Sequence, residues 1–302
     1  MERAGYVLIT PARNEERCIE MTIRSVVSQT VRPEEWVIVS DGSTDRTAGI
    51  VQAFQRAHEF ITLIRVEGSR EAGFDSKARA FRTGEEGLTC TDYRFIGNLD
   101  ADVSFEPAYF ESLLEEFEKD PGLGIGGGEI LELVNGQYVS RNTSLSSVAG
   151  AVQLFRRKCY EDVGGYIPLA RGGIDSAAEI MARMKGWGVR TFRALGVLHH
   201  GRVLTGTSNV LAARFNLGVM NYLLGYHPLF QLAACLRRIP GRPWFVGSFS
   251  IFLGYTAAFV RRRQRPVSRD FVRFLQREQL RRLCLREKRR ADGGRKRDNK
   301  GA

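Results

Sequence analysis

The feature that most constrains this chain is the regular alternation, over its first 120 residues, of short apolar runs with amphipathic stretches of helical period. Residues 6–10 (YVLIT), 36–40 (WVIVS), 61–66 (ITLIRV) and 93–99 (YRFIGNL) read as strands buried on both faces. Between them, Ile19, Ile23, Val26 and Val27 recur at helical spacing. Further helices are expected up to Ala57, over residues 77–87 and over residues 108–119, the last opened by Pro107. Strands alternating with helices of this length build a mostly parallel sheet covered on both faces. Ligands of such sheets sit at the carboxyl ends of the strands.

Two acidic clusters fall at those ends. Ser40-Asp41-Gly42-Ser43-Thr44-Asp45 follows the second strand, where Ser43 or Thr44 can cap the next helix and Asp41 can point across the crevice towards a base or ribose. Asp100-Ala101-Asp102 ends the fourth strand. A lone D-x-D is most often a polar turn. Behind a buried strand, and matched by Asp41, it becomes a candidate ligand set for a hard divalent cation, which can bridge a diphosphate.

In order and spacing, Thr10-Pro11-Ala12-Arg13-Asn14-Glu15, Val37-Ile38-Val39-Ser40-Asp41-Gly42-Ser43-Thr44-Asp45 and Asn98-Leu99-Asp100-Ala101-Asp102 resemble the family 2 glycosyltransferases of GT-A fold. A later block, from Phe155-Arg156-Arg157 to Val163-Gly164-Gly165-Tyr166, resembles the segment before that family's acceptor site. The resemblance covers about two-thirds of the chain. It implies an inverting, metal-dependent hexosyltransferase that takes sugar from a nucleotide-sugar, UDP-linked in preference to GDP-linked, and uses Mg²⁺ or Mn²⁺. Pro11, Glu15, Asp41, Lys77 and Asp100 would bind the donor, and Asp102 and Asp100 the metal. The family's adjacent Glu-Asp pair is absent from Gly172-Gly173-Ile174-Asp175-Ser176-Ala177-Ala178-Glu179, so the implied base is Asp175, with Glu179 second. His199-His200-Gly201-Arg202 closes an apolar strand; His200 is expected as the third metal ligand and Arg202 on the diphosphate. The missing acidic pair keeps a second reading open, a non-catalytic nucleotide-sugar-binding or scaffold protein of the same fold. A nucleotidyltransferase is a weaker third.

Charge divides the chain. Residues 1–200 carry 23 Lys/Arg against 29 Asp/Glu, and residues 201–302 carry 22 against 5. Residues 215–236 and 243–260 hold no charged residue, yet Asn216, Asn221 and His227-Pro228 make the first a poor membrane span. These features predict a catalytic domain over residues 1–205, membrane-associated helices over 206–290 and a disordered basic tail over 291–302. Arg261-Arg262-Arg263-Gln264-Arg265 would lie at anionic headgroups. The acceptor is expected to be lipid-linked or a glycan, as in cell-surface polysaccharide or glycolipid synthesis. The implied location is the cytoplasmic face of the membrane, whether peripheral, monotopic or integral, with no nucleic-acid partner. Residues 1–10 are too short and polar for a secretory leader, and five scattered cysteines argue for reduced thiols.

Overall fold

The computed structural model describes residues 5–67, 74–134, 136–140, 144–169, 172–201, 207–239 and 245–298. The chain divides into two units, residues 1–202 and 203–302.

The first unit runs β1 (Tyr6–Ala12), α1 (Ile19–Val27), β2 (Glu35–Asp41), α2 (Thr47–Ala57), β3 (Ile61–Val66), α3 (Phe74–Glu86), β4 (Phe95–Leu99), β5 (Val103–Phe105) and α4 (Tyr109–Lys119). It continues through β6 (Leu123–Val134), β7 (Gln137–Ser140), β8 (Val152–Arg156), α5 (Arg157–Val163), α6 (Ile174–Met184) and β9 (Gly188–His199). The strands form one sheet in the order β3-β2-β1-β4-β8-β6-β9-β5, with β7 on the end of β6. From β3 to β4 the strands are parallel, with Ile9 opposite both Val37 and Asn98. β8 then enters antiparallel between β4 and β6.

The apolar runs at β1, β2 and β4 are buried throughout because helices cover both faces. On one face Ile19, Ile23 and Val26 of α1 and Phe110, Leu113 and Phe117 of α4 meet Leu8, Trp36 and Phe95. On the other, Phe81 of α3 and Cys159 and Tyr160 of α5 meet Val7, Ile9 and Ile96. The half-antiparallel continuation is a departure from the mostly parallel sheet expected. It depends on close backbone approach: a Cβ on Gly127 would strike the Val152 carbonyl, and one on Gly128 the Leu195 carbonyl.

The second unit contains α7 (Thr207–Leu223), α8 (Pro228–Arg237), α9 (Val246–Val260) and α10 (Arg269–Asp298). The first uncharged run is interrupted, not continuous. The chain turns at Gly225 (φ 84°), and His227 caps α8 by accepting the Leu229 N–H at its Nδ1, 3.2 Å away. α7 and α9 touch backbone to backbone, since a Cβ on Gly218 would overlap the Ile251 carbonyl and one on Gly254 the Phe215 carbonyl. Tyr222, Val219, Tyr255 and Ala258 form the small core between them. Gln276 and Gln279 of α10 tie it to the α7–α8 turn, through the Gly225 carbonyl at 3.0 Å and the His227 N–H at 2.8 Å. Residues 291–298, read from composition as part of a basic tail, continue α10. No helix among the described residues is long and apolar enough to cross a membrane.

Candidate active site

Parallel strands deliver their carboxyl ends to one edge, and a cavity of about 220 Å³ lies there. It is lined by Pro11 near the end of β1, Arg13 and Glu15 after it, Asp41 at the end of β2, Lys77 from α3, and Asp100 and Asp102 after β4. Six of the residues expected from sequence are thus brought together from four separate segments.

Each wall is fixed by hydrogen bonds. Lys77 Nζ donates to Asp100 Oδ1 at 2.5 Å and lies 3.5 Å from the Gly150 carbonyl. Asn98 Nδ2 reaches the same carboxylate oxygen at 3.2 Å and the same carbonyl at 2.5 Å. The Asp100 N–H donates to the Ala151 carbonyl at 2.8 Å, so the loop before β8 holds the first aspartate. The loops after β1 and β2 are latched to each other. Asn14, in the left-handed region at φ 57°, accepts the Thr44 N–H at 2.8 Å, while the Asn14 N–H donates to Ser43 at 3.2 Å. Asp45 accepts from the backbone of both Thr47 (2.9 Å) and Glu16 (3.1 Å). Asp45, and neither Ser43 nor Thr44, therefore satisfies the start of α2; the expected caps are engaged by the opposing loop.

The electrostatics are those of a site short of positive charge on one side and long on the other. Burial, reinforced by the charges of Asp102, Asp100 and Asp45, pushes the Glu15 carboxyl up to about 7. Arg13, which sequence reasoning left without a role, has its Nη1 buried with no acceptor among the described residues. A buried, unmatched donor beside the cavity suits an anionic ligand. No sequence signal beyond its place in the loop marked it.

The histidine pair resolves against the expected choice. His199 Nε2 lies 3.2 Å from Asp102 Oδ2, and its hydrogen bond to that carboxylate raises the imidazole pKa. His200 turns to Ser104, with Nε2 2.7 Å from Oγ, and burial lowers its pKa. The pairing of His199 with Val103 brings the end of β9 alongside Asp102, and there it is the His199 ring that reaches the carboxylate. Arg202 lies outside the described residues.

Among the described residues no three His, Cys, Asp or Glu side chains gather closely enough to hold an ion unaided. Asp102 and His199 nonetheless fit the protein's share of a divalent site. Mg²⁺ and Mn²⁺ are commonly held by one or two protein ligands, with waters and substrate phosphates completing the shell. Asp102 and Asp100 add to the effect of burial in raising the Glu15 pKa, and a bound cation would offset their charge.

Asp175 and Glu179 share α6 but not an environment. Asp175, in the first turn, lies against Gly150, where an added Cβ would come within 2.9 Å of its Oδ2. This is the residue whose carbonyl receives Lys77 and Asn98. Glu179, one turn on, is buried; it accepts the Val148 N–H at 2.6 Å and the Ser147 hydroxyl at 2.9 Å. Burial pushes its carboxyl up to about 7. Glu179 thus braces the loop that carries Gly150, while Asp175 lies against Gly150 itself, outside the residues that line the cavity.

Residues 7–144 match the model of glycosyl transferase family 2. The first unit carries a family 2 glycosyl transferase domain. Poly-β-1,6-N-acetyl-D-glucosamine synthase of Staphylococcus epidermidis is 27% identical over 179 residues, 53% of this chain and 41% of that protein. The synthase of Staphylococcus aureus strain COL is 25% identical over 182 residues, 54% and 42% of the two chains. The chain spans about two-fifths of the length of these curated relatives. Among solved structures, the mannosyltransferase PcManGT of Pyrobaculum calidifontis, in complex with GDP-Man and Mn²⁺, matches 91% of this chain and 79% of its own at TM-score 0.55 and 17% identity. S. aureus TarS in complex with UDP-GlcNAc matches 72% and 66% at TM-score 0.54 and 15% identity. The sheet of the family 2 domain, with its helices on both faces, is accordingly of GT-A fold.

Proposed function

We propose that the chain is an inverting, metal-dependent hexosyltransferase that moves sugar from a nucleoside-diphosphate donor to a hydroxyl of a membrane-borne or glycan acceptor. The observation that carries this is the convergence of Asp41, Lys77, Asp100 and Asp102 on one cavity at the carboxyl ends of β1, β2 and β4. Asp41 suits the base or ribose, and Arg13 and Lys77 suit the diphosphate. Asp102 and His199 would hold the cation, which when bound offsets charge developing on the departing diphosphate. Asp175 would take the acceptor hydroxyl's proton during a single displacement. Relatives named for polysaccharide synthesis and neighbours bound to UDP-GlcNAc or GDP-Man support a nucleotide-sugar donor and a cell-surface product.

The second unit supports work at a membrane surface, on its cytoplasmic side where nucleotide-sugars are found. α8 and α9 present a broad apolar surface: Leu229, Phe245 and Phe249 are each 60% exposed or more, and Val260 is 76% exposed. Such a surface on a helix of 15 residues, about 22 Å long, suits lying in an interface and not crossing a hydrocarbon core of about 30 Å.

The test is nucleoside diphosphate release from a panel of UDP- and GDP-sugars, with Mn²⁺ or Mg²⁺ and membrane extract as acceptor. Metal-dependent release, abolished in Asp102→Ala and in Asp175→Asn with donor binding retained in the latter, is the expected result. Donor binding without release under every condition would replace this reading with a nucleotide-sugar-binding scaffold.

A further inference from the structure

The second unit has a cavity of its own, of about 750 Å³, distant in sequence from every residue of the candidate active site. Its wall includes Tyr222 of α7, Arg263, Arg265 and Ser268 of the α9–α10 connection, and Arg269 and Arg273 of α10. Four arginines thus line one cavity. The opposing charge is thin: Asp270 lies 3.5 Å from Arg273, and among the described residues no carboxylate pairs with Arg263, Arg265 or Arg269.

A solvated basic surface would leave such side chains loose, but one of these is fixed. Arg265 Nε donates to the Tyr222 carbonyl at 3.2 Å, and its guanidinium sits 4.7 Å from the centroid of the Tyr222 ring. That hydrogen bond uses one of five N–H donors. Ser268 Oγ accepts the Phe271 N–H at 3.1 Å, an arrangement that leaves the hydroxyl proton to donate. Planar forks of donors held around a common space match a tetrahedral oxyanion with several acceptor oxygens better than they match a single carboxylate. A preorganised guanidinium also lowers the ordering cost of binding.

We propose that this arginine-lined cavity is a binding site for a phosphate group. Two sources present that chemistry: a lipid headgroup or phosphate in solution. The lipid is favoured by the neighbouring surface, since Phe259 and Val260 are exposed immediately before Arg261. The lipid source rests on the membrane-surface reading above; the phosphate site itself does not.

The test uses the full chain without detergent and two variants of equal charge loss. Arg263→Gln/Arg269→Gln lies in the cavity wall. Arg277→Gln/Arg281→Gln lies on exposed positions of α10 outside it. Among the described residues neither Arg263 nor Arg269 makes a side-chain hydrogen bond, and circular dichroism checks that both variants stay folded. Probes are inorganic phosphate and pyrophosphate by calorimetry, and sedimentation with vesicles of digalactosyldiacylglycerol carrying either phosphatidylglycerol or, at matched surface charge, oleate. The proposal predicts that phosphate-bearing probes bind at least tenfold more weakly to the cavity variant and less than threefold more weakly to the control. Loss confined to phosphatidylglycerol vesicles identifies lipid phosphate as the source. Loss with dissolved phosphate while no vesicle binds keeps the site and removes the membrane reading. Equal losses in the two variants, equal binding of oleate and phosphatidylglycerol surfaces, or no binding of any phosphate probe would overturn the site. In the first two of these cases the membrane reading survives.

Discussion

Glu179 gives the fold a built-in pH dependence. In the unfolded chain its carboxyl titrates near 4.5, whereas in the fold burial outweighs the hydrogen bonds from Val148 and Ser147 and moves it to about 7. A folded pKa above the unfolded one means that the native state binds the proton more tightly. Its contribution to stability is therefore full below about pH 4.5 and is lost as the pH rises to about 7. The difference between 4.5 and about 7 corresponds to about 3 kcal/mol. About 2 kcal/mol of that is lost between about pH 5.5 and pH 8.5, across the accessible part of the window. Arg183, at 3.7 Å, is too far to neutralise the carboxylate by a tight pair. Glu179→Gln keeps the shape and the acceptor for the Val148 N–H without the charge. Urea unfolding of wild type and variant, followed by tryptophan fluorescence, should show Glu179→Gln gaining about 2 kcal/mol on wild type between about pH 5.5 and pH 8.5. A difference that stays constant across that range would refute the reasoning, since it would place the proton affinity of Glu179 at its ordinary value.

Lys77→Met removes the partner of Asp100, and a charge-assisted contact of about 1.5–3 kcal/mol predicts a ten- to hundredfold rise in the donor's KM, measured by nucleoside diphosphate release. His199→Gln should weaken Mn²⁺ activation at least tenfold and His200→Gln less than threefold; equal effects would reject the placement of His199 beside Asp102. Gly218→Ala and Gly254→Ala each push a methyl into a facing carbonyl, so each should destabilise the helical unit by about 1–3 kcal/mol, seen as a lower thermal midpoint in far-ultraviolet circular dichroism.

The parallel half of the sheet and the carboxylates at its edge were legible because each depends on local pattern: an apolar run, then a turn, then an acid. The antiparallel half was not. β6 contains Gly124, Gly126, Gly127 and Gly128, a composition that suggests a loop; the reasons are tertiary, since Gly127 and Gly128 meet backbone of β8 and β9 while Gly124 and Gly126 make room for Cys159, Trp187 and Phe117. Its register also slips between Gly128 and Glu129, which breaks the alternation a reader would follow. The cap of α2 was misassigned for a similar reason. Ser43 and Thr44 carry the right hydroxyls, but their partners are set by Asn14, thirty residues away, and no local pattern reports that. The choice between His199 and His200 depends on the path of the backbone where β9 ends and before β5 begins, which no local pattern reports. The different roles of Asp175 and Glu179 depend on burial by the loop at Val148, which is likewise non-local.

The position of β8 bears on what can be cut, swapped or inherited as a unit. The family match stops at residue 144, but β8 begins at Val152 and is the strand that joins β4 to β6. A fragment stopped at the family limit would leave β4 with an open edge and strip β6 of both neighbouring long strands. β5, paired only to β9, would hang without a partner. Raw edges of that length recruit other chains. Recombination within this domain should therefore tolerate crossovers near residue 202 and reject them near residue 144, even though the family match ends at the earlier point.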